Sequence, residues 1–181
     1  MEVKYSYSSG HSAAEQPPPL KSTPLYYAVF CGFTELARWL IATHAEDVNA
    51  KCYDDKTPLH VASQEGHVDA VRALLEHGAH VNSQDCDMWM PLHFASFGGN
   101  IKVVQLLLEH GGYLNVLSIA DDSPLRLASS RRHLEAVRLL LDHGADVDLG
   151  PNLTSYQVAT IKGYDDVAEL LLEYGAQDRK W

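Results

Sequence analysis

The sequence predicts an all-α solenoid of helix-turn-helix units, and three observations support this fold class. Four prolines recur at intervals of 34, 33 and 33 residues: Pro24, Pro58, Pro91 and Pro124. A second series keeps a strict period of 33: Asn49, Asn82, Asn115 and Asp148. Between these points, apolar residues recur at the spacing of one helical face. A unit of this length cannot bury its apolar face alone, so neighbouring units must stack.

The stretch from Lys56 to Met88 is the clearest version of the unit. Thr57 is a favourable N-cap residue, and Pro58 suits the first helical position. Gly66 can take the left-handed conformation that ends a short helix, and Gly78 closes the second helix. That second helix is predicted from four apolar residues: Val68, Val71, Leu74 and Leu75. We expect five such units, at about 22–55, 56–88, 89–121, 122–153 and 154–177.

The first unit departs from this pattern. Its second helix, predicted over about 34–43, holds four large apolar residues: Leu36, Trp39, Leu40 and Ile41. Ala45 follows an extra residue and takes the place of the closing glycine, so the helix should end with a different geometry. A terminal unit needs a polar outer face, so we expect a polar surface and some irregularity at this end.

Three later substitutions predict local differences. Met90 replaces the N-cap threonine of the third unit, which should cost that helix start on the order of 1 kcal/mol. Arg132 stands where Gly66 and Gly99 end first helices, which predicts a different turn or strain. Met88 holds the glycine position of the tip at 86–89. Because methionine tolerates a left-handed backbone poorly, we expect that tip to be reshaped.

The two ends of the chain differ in composition from the repeats. Residues 1–21 are dominated by Ser, Gly, Pro, Glu and Gln, which predicts a disordered leader that the repeats do not need for folding. The three consecutive prolines at 17–19 make a proline-rich ligand the weaker alternative. Residues 178–181 form a polar tail, and the polar final unit is expected to cap the solenoid.

The start of the second unit, T-P-L-H-V-A, resembles the ankyrin repeat, whose units begin T-P-L-H-x-A and have a period of 33. The resemblance covers about Ser22 to Gln177. It implies an ankyrin-repeat solenoid whose helix pairs are joined by β-hairpin-like tips. It also implies a non-enzymatic protein-protein interaction module, which binds a partner protein on the concave face made by the tips and the first helices.

Charge and cysteine content limit the other function classes. The formal net charge is −10, which argues against a nucleic-acid binder and an anionic membrane surface. No apolar run approaches the roughly 20 residues of a membrane span. Cys31, Cys52 and Cys86 form no disulfide framework. We therefore expect a monomer in an intracellular, reducing setting, the cytoplasm with the nucleus as the alternative.

Histidines and acidic residues suggest no reaction chemistry. The sequence contains ten histidines, and most occupy repeat positions such as the fourth residue of T-P-L-H or the end of a second helix. Neither H-E-x-x-H nor paired C-x-x-C is present. There is also no glycine-rich phosphate loop and no G-x-S-x-G motif. We expect no catalytic site, no cofactor and no metal.

The candidate partner-binding residues lie in positions that the repeat leaves variable. They are rich in aromatic side chains, which commonly mark interfaces: Phe30, Tyr53, Asp54, Lys56, Asp87, Met88, Trp89, Phe97, Ile119 and Arg131. A competing interpretation is that Trp89 and Phe97 pack on each other and only stiffen the tips. At the level of the whole protein, the alternative is a regulatory or sensor fragment whose repeats contact an effector domain in cis.

The absence of a metal and of a disulfide gives a direct prediction. The thermal midpoint of unfolding should be the same with and without a chelator, and with and without a reductant, because the expected fold uses neither a metal ion nor a disulfide bond. Differential scanning calorimetry would measure it. A large fall of the midpoint in either condition would reveal a site that the sequence does not suggest.

Overall fold

The structure, a computed structural model, describes residues 22–177; the predicted leader and the tail at 178–181 lie outside the described residues. The described part contains ten α-helices in five consecutive pairs and no strand. The pairs are α1 Pro24–Phe30 with α2 Thr34–Thr43, α3 Pro58–Glu65 with α4 Val68–Glu76, α5 Pro91–Gly98 with α6 Ile101–Glu109, α7 Pro124–Ser130 with α8 Leu134–Asp142, and α9 Ser155–Ile161 with α10 Asp165–Glu173. The predicted all-α repeat fold is therefore confirmed.

The helices form two layers, one of first helices and one of second helices. Neighbouring first helices contact each other more extensively than neighbouring second helices do. One leucine position in each layer is fully or almost fully buried in four successive units: Leu25, Leu59, Leu92 and Leu125 in the first, and Leu74, Leu107, Leu140 and Leu171 in the second. No described helix is both long and apolar enough to span a bilayer.

Helix ends follow the predicted pattern, with one informative substitution. Gly66 and Gly99 end α3 and α5 with φ angles of 73° and 67°. Arg132 takes the same left-handed conformation, with φ 60°. The turn at Arg132 is therefore the same as the turns at Gly66 and Gly99, and the backbone of Arg132 is strained because it is not a glycine. Its guanidinium lies 3.2 Å from the carboxylate of Asp166 in the next unit, which favours this conformation.

The first unit ends as irregularly as expected. A short 3₁₀ helix, Ala45–Asn49, follows α2 in place of the glycine turn of later units. Its outer face contradicts the prediction, however. Leu40 and Ile41 are buried, but Leu36 and Trp39 are exposed, so the outer face is apolar rather than polar.

All three tips have a left-handed backbone at the glycine position, and the first tip adds a second left-handed residue, Asp54, with φ 56°. The three residues in the glycine position, Asp55, Met88 and Asp121, have φ angles of 59°, 62° and 60°. The expected reshaping at Met88 is therefore wrong. The physical reason lies in Asp85, whose carboxylate accepts hydrogen bonds from the backbone N–H groups of Asp87 and Trp89 at 3.0 and 2.8 Å. These bonds fix the turn whatever residue takes the left-handed position, at a strain of about 1 kcal/mol for methionine.

Neighbouring units are joined by buried histidines. His60 Nδ1 accepts from the backbone N–H of Thr57 at 3.0 Å, and His60 Nε2 donates to the carbonyl of Trp89, in the next tip, at 3.1 Å. His93 does the same with the N–H of Met90 and the carbonyl of Asp122, at 3.1 and 3.2 Å. Each imidazole is thus a neutral tautomer that ties its own helix start to the following unit.

Asparagines join the units at the C-terminal ends of the second helices. The side chain of Asn82 donates to the carbonyl of Gly111 at 3.0 Å and accepts from the N–H of Tyr113 at 2.8 Å. Asn49 and Asn115 make the equivalent pair of bonds one unit away in either direction. The period-33 asparagines therefore each bond the backbone of the turn that ends the second helix of the next unit.

The buried histidines make the fold sensitive to mild acid. Burial lowers the pKa of His60 and of His93 to about 4, below the usual 6.5 or so of the unfolded chain. Their contribution is therefore complete above about pH 6.5 and is lost as the pH falls towards 4. Between pH 7 and 5 the free energy of unfolding should fall by up to about 2 kcal/mol for each histidine, measured by urea denaturation.

A matched variant tests whether His60 causes this pH dependence. The fifth unit has Gln157 at this position, and its Oε1 accepts from the N–H of Thr154 at 3.0 Å. His60→Gln should therefore keep the fold and remove about half of the pH dependence. A variant with the full wild-type slope would show that His60 is not the titrating group. Burial raises the pKa of Asp85 and Asp122, which stabilises the fold in stronger acid, so the comparison is best made at pH 5 and above.

A candidate protein-binding face

An aromatic cluster occupies the surface made by the tips and the first helices. The ring of Trp89 lies 5.0 Å from Phe94 and 5.8 Å from Phe97, measured between ring centroids. Phe94 is buried beneath it, whereas Trp89 and Phe97 stay half-exposed. The tip places Trp89 there because its N–H is held by Asp85 and its carbonyl by His60. We call Trp89, Phe94 and Phe97 the aromatic cluster.

A cation lies at each end of the cluster. Lys56 Nζ is 4.9 Å from the ring centroid of Phe94, and the guanidinium carbon of Arg131 is 3.9 Å from that of Phe97. Within residues 22–177, neither cation forms an ion pair with a carboxylate. The row from Lys56 through the cluster to Arg131 thus crosses three units and keeps two charges available at its ends.

The structure brings four of the predicted residues together: Lys56, Trp89, Phe97 and Arg131. The other six lie elsewhere on the tips and the first helices, in two groups. Five lie in the tips: Tyr53, Asp54, Asp87, Met88 and Ile119, all exposed. Adjacent tips are joined by backbone bonds from Cys86 N–H to the Asp54 carbonyl and from Ile119 N–H to the Asp87 carbonyl, at 3.0 and 3.1 Å. Phe30 is exposed at the end of α1, at the helix position that Phe97 holds in α5.

Sequence reasoning missed two residues that build this surface. Phe94 replaces the aliphatic residues Val61 and Leu127 of neighbouring units, and this larger side chain is the signal that could have identified the base of the cluster. Asp85 is buried and orients Trp89 through its backbone N–H. Nothing in the repeat pattern distinguishes Asp85 from the exposed acidic residues of the tips.

The arrangement contains recognition groups and no catalytic constellation. Among the described residues, no group of three or more His, Cys, Asp or Glu side chains is placed to hold a metal ion. His77, His110 and His143, at second-helix ends, bond carbonyls of their own helices; His77 Nδ1, for example, donates to Ala73 at 2.8 Å. Desolvation and nearby carboxylates raise the pKa of the Cys86 thiol, which disfavours the reactive thiolate. The predicted absence of a metal and of catalysis stays a prediction.

Comparison with known families explains the repeated geometry. A family model described as ankyrin repeats matches three overlapping stretches, at residues 3–85, 46–118 and 92–180. The chain belongs to the ankyrin-repeat family. Ankyrin repeats are generally protein-protein interaction modules, and the family is generally non-enzymatic.

Two curated proteins share part of the sequence. Alpha-latrocrustotoxin-Lt1a of Latrodectus tredecimguttatus is 34% identical over 55 residues, which are 30% of this chain and 4% of the toxin. The mitochondrial liver isoform of glutaminase from Rattus norvegicus is 42% identical over 52 residues, which are 29% of this chain and 8% of the enzyme. In both, the matched stretch is a small part of a much longer protein.

The position of Trp89 predicts a modest cost to stability. Trp89→Ala removes the ring contacts with Phe94 and Phe97 but keeps the carbonyl that His60 bonds, so we expect a loss of about 1–2 kcal/mol. Leu74→Ala, in the core, should cost about 2–5 kcal/mol. Urea denaturation of both variants gives the ranking. Equal losses would mean that Trp89 is chiefly a structural staple.

Proposed function

We propose that this chain is a non-enzymatic interaction module that binds a partner protein on its concave face, with Trp89 as the central anchor. The observation that carries the proposal is the aromatic cluster, in which Trp89 and Phe97 are half-exposed, with a cation at each end, built across three units. Interface anchors are typically aromatic residues and arginine in the middle of a contact surface.

The strain at Met88 supports binding over simple stiffening. Met88 is held in a left-handed conformation and remains exposed, so its side chain gains little packing in return. A residue that costs stability and offers apolar surface is easier to explain by a binding function. The ring contacts within the cluster are compatible with both interpretations. They also keep the outer face of Trp89 in one orientation, which reduces the ordering cost of binding.

The charges suggest the chemistry of the partner. Lys56 and Arg131 are unpaired within the described residues and stand at opposite ends of the cluster. A partner segment with apolar side chains over Trp89 and Met88 and an acidic group towards either end would satisfy both parts of this surface. The protein is not proposed as a nucleic-acid binder, and the intracellular setting stays a prediction.

The alternative function is a regulatory or sensor module that contacts an effector domain of a larger protein in cis. One observation favours it: the similar stretches of the toxin and of glutaminase are 4% and 8% of those proteins. Repeats of this kind therefore occur inside long chains. In that case the effector domain would contact the same surface and the same residues as the partner protein proposed above.

Affinity capture with matched variants tests the proposed face. The wild-type chain, Trp89→Ala and Tyr113→Ala would be immobilised, and proteins retained from a lysate of the source cells compared. Tyr113 is an exposed aromatic residue outside the tips and the first helices, so it controls for the loss of an exposed ring. We expect Trp89→Ala to weaken the partner by about 2 kcal/mol or more, measured by calorimetry with the purified partner, and Tyr113→Ala to leave it unchanged.

Arg131→Glu adds an electrostatic test. It should weaken an acidic partner further and make the remaining affinity less sensitive to salt. If Trp89→Ala binds every retained protein at wild-type affinity while its fold is intact, the concave face around Trp89 is not the binding site.

A further inference from the structure

The outer side of the first unit presents a second apolar surface, at the opposite end of the molecule from the fifth unit. Phe33, Leu36 and Trp39 expose 60%, 47% and 57% of their surface. They lie at the start of α2 and along one of its faces, at i, i+3 and i+6. We call these three residues the end surface. Large apolar patches on a protein surface commonly mark an interaction site.

Comparison of the units identifies what the end surface corresponds to. The residues at the position of Leu36 in the other units are all buried: Ala70, Val103, Ala136 and Val167. The residues at the position of Trp39 are buried as well, with Leu139 partly so: Ala73, Leu106, Leu139 and Leu170. The second helix of each of those units packs against the second helix of the preceding unit, and no described unit precedes the first one. The end surface therefore consists of stacking positions, and no described residue covers it.

The side chains present do not fit another unit stacked in the usual way. Alanine or leucine fills the position of Trp39 in later units, so the normal spacing is too small for an indole. In later units Asn100 and His133 hold the position of Phe33. Their side chains donate to backbone carbonyls of the preceding unit, Asn100 to Ser63 at 3.0 Å and His133 to Phe97 at 3.1 Å. Phenylalanine cannot donate that bond. The end surface is thus suited to a different occupant.

Charges beside the end surface indicate which occupant fits. Glu35 and Arg38 are exposed and, within residues 22–177, form no ion pair with each other or with other groups. Each precedes an end-surface residue by one position, so both lie on the same flank of α2. A two-fold axis that packs two α2 helices antiparallel keeps this flank on the same side in both copies. When Leu36 of one copy meets Trp39 of the other, Glu35 then comes within reach of Arg38 of the other copy, twice.

We propose that the end surface binds a second copy of this chain in a two-fold dimer, with α2 packed antiparallel against α2 of the partner copy. The self-complementary order Glu35, Leu36, Arg38, Trp39 is the feature that selects a second copy over an unrelated apolar partner. The surface is separate from the aromatic cluster, so the dimer leaves both concave faces available. This proposal goes beyond the proposed function and does not depend on it.

The net charge predicts how the dimer responds to salt. Each copy carries a formal charge of −10, so two copies repel each other at long range. Salt screens this repulsion and also the two exposed Glu35–Arg38 pairs, which contribute less, whereas the apolar contact is not weakened by salt. Dimerisation should therefore tighten as ionic strength rises from low to physiological values.

Sedimentation equilibrium of the full chain over a wide concentration range tests the proposal. We expect a reversible monomer–dimer equilibrium. Trp39→Ala should weaken the dimer about thirtyfold or more, the scale of an aromatic anchor at an interface. Tyr113→Ala removes an equally exposed aromatic side chain two units away, outside both proposed surfaces, and should leave the equilibrium unchanged. Circular dichroism and urea denaturation confirm that the variants are folded.

Charge exchange tests the two-fold arrangement. Glu35→Arg and Arg38→Glu should each weaken the dimer, because each places like charges together across the axis. The double variant with both changes restores both pairs and should recover most of the affinity. A wild-type chain that stays monomeric at every concentration and salt level, as the sequence led us to expect, would overturn the proposal. So would a dimer that is indifferent to Trp39→Ala, or a double variant no tighter than the single ones.

Discussion

None of the five described helix pairs closes a core of its own, and the rest of the structure depends on that constraint. The leucines at the centre of each pair, Leu59 and Leu74 in the second unit, are fully buried only because adjacent pairs lie against them. Stability is therefore shared between units through their interfaces. The strict period of the asparagines and prolines follows from the same constraint, because every unit must present matching surfaces to two neighbours. A unit at the end of the stack needs to match only one neighbour.

The inter-unit bonds also set the geometry of the binding face. His60 bonds the backbone carbonyl of Trp89, and Asp85 bonds its N–H, so the main chain of the central aromatic residue is held from both sides by buried groups. The side chain is then oriented by Phe94 beneath it. A face held in this way can bind without first being ordered, which is where much of the free energy of association is otherwise lost. The same buried imidazoles that stack the units thus position the residues available to a partner.

The sequence predicts the helices well because their signals are local. The second helix of the first unit was expected over about 34–43 and spans Thr34–Thr43, and Gly66 has the expected left-handed backbone. The tip at Met88 was mispredicted because its turn is fixed by the carboxylate of Asp85, and a side-chain bond of this kind leaves no periodic signal. Four of the candidate site residues meet at one place, but the buried Phe94 that joins them was missed. The prediction of a polar outer face on the first unit was wrong. A repeat pattern shows which positions are apolar, but it does not show whether a neighbouring unit is present to cover them.

The short reach of the contacts between units has a consequence for how the protein is made. Apart from the local bonds around each tip, the hydrogen bonds between the described units connect residues between 29 and 37 positions apart, from the bond of Asn82 to Gly111 to that of Asn100 to Ser63. Each unit can therefore complete its contacts as soon as the next few dozen residues have left the ribosome. Folding can advance along the nascent chain in the direction of synthesis, and apolar surface waiting for a distant partner is kept small throughout. Apart from the first unit's outer side, a half-made chain needs protection only at its growing edge.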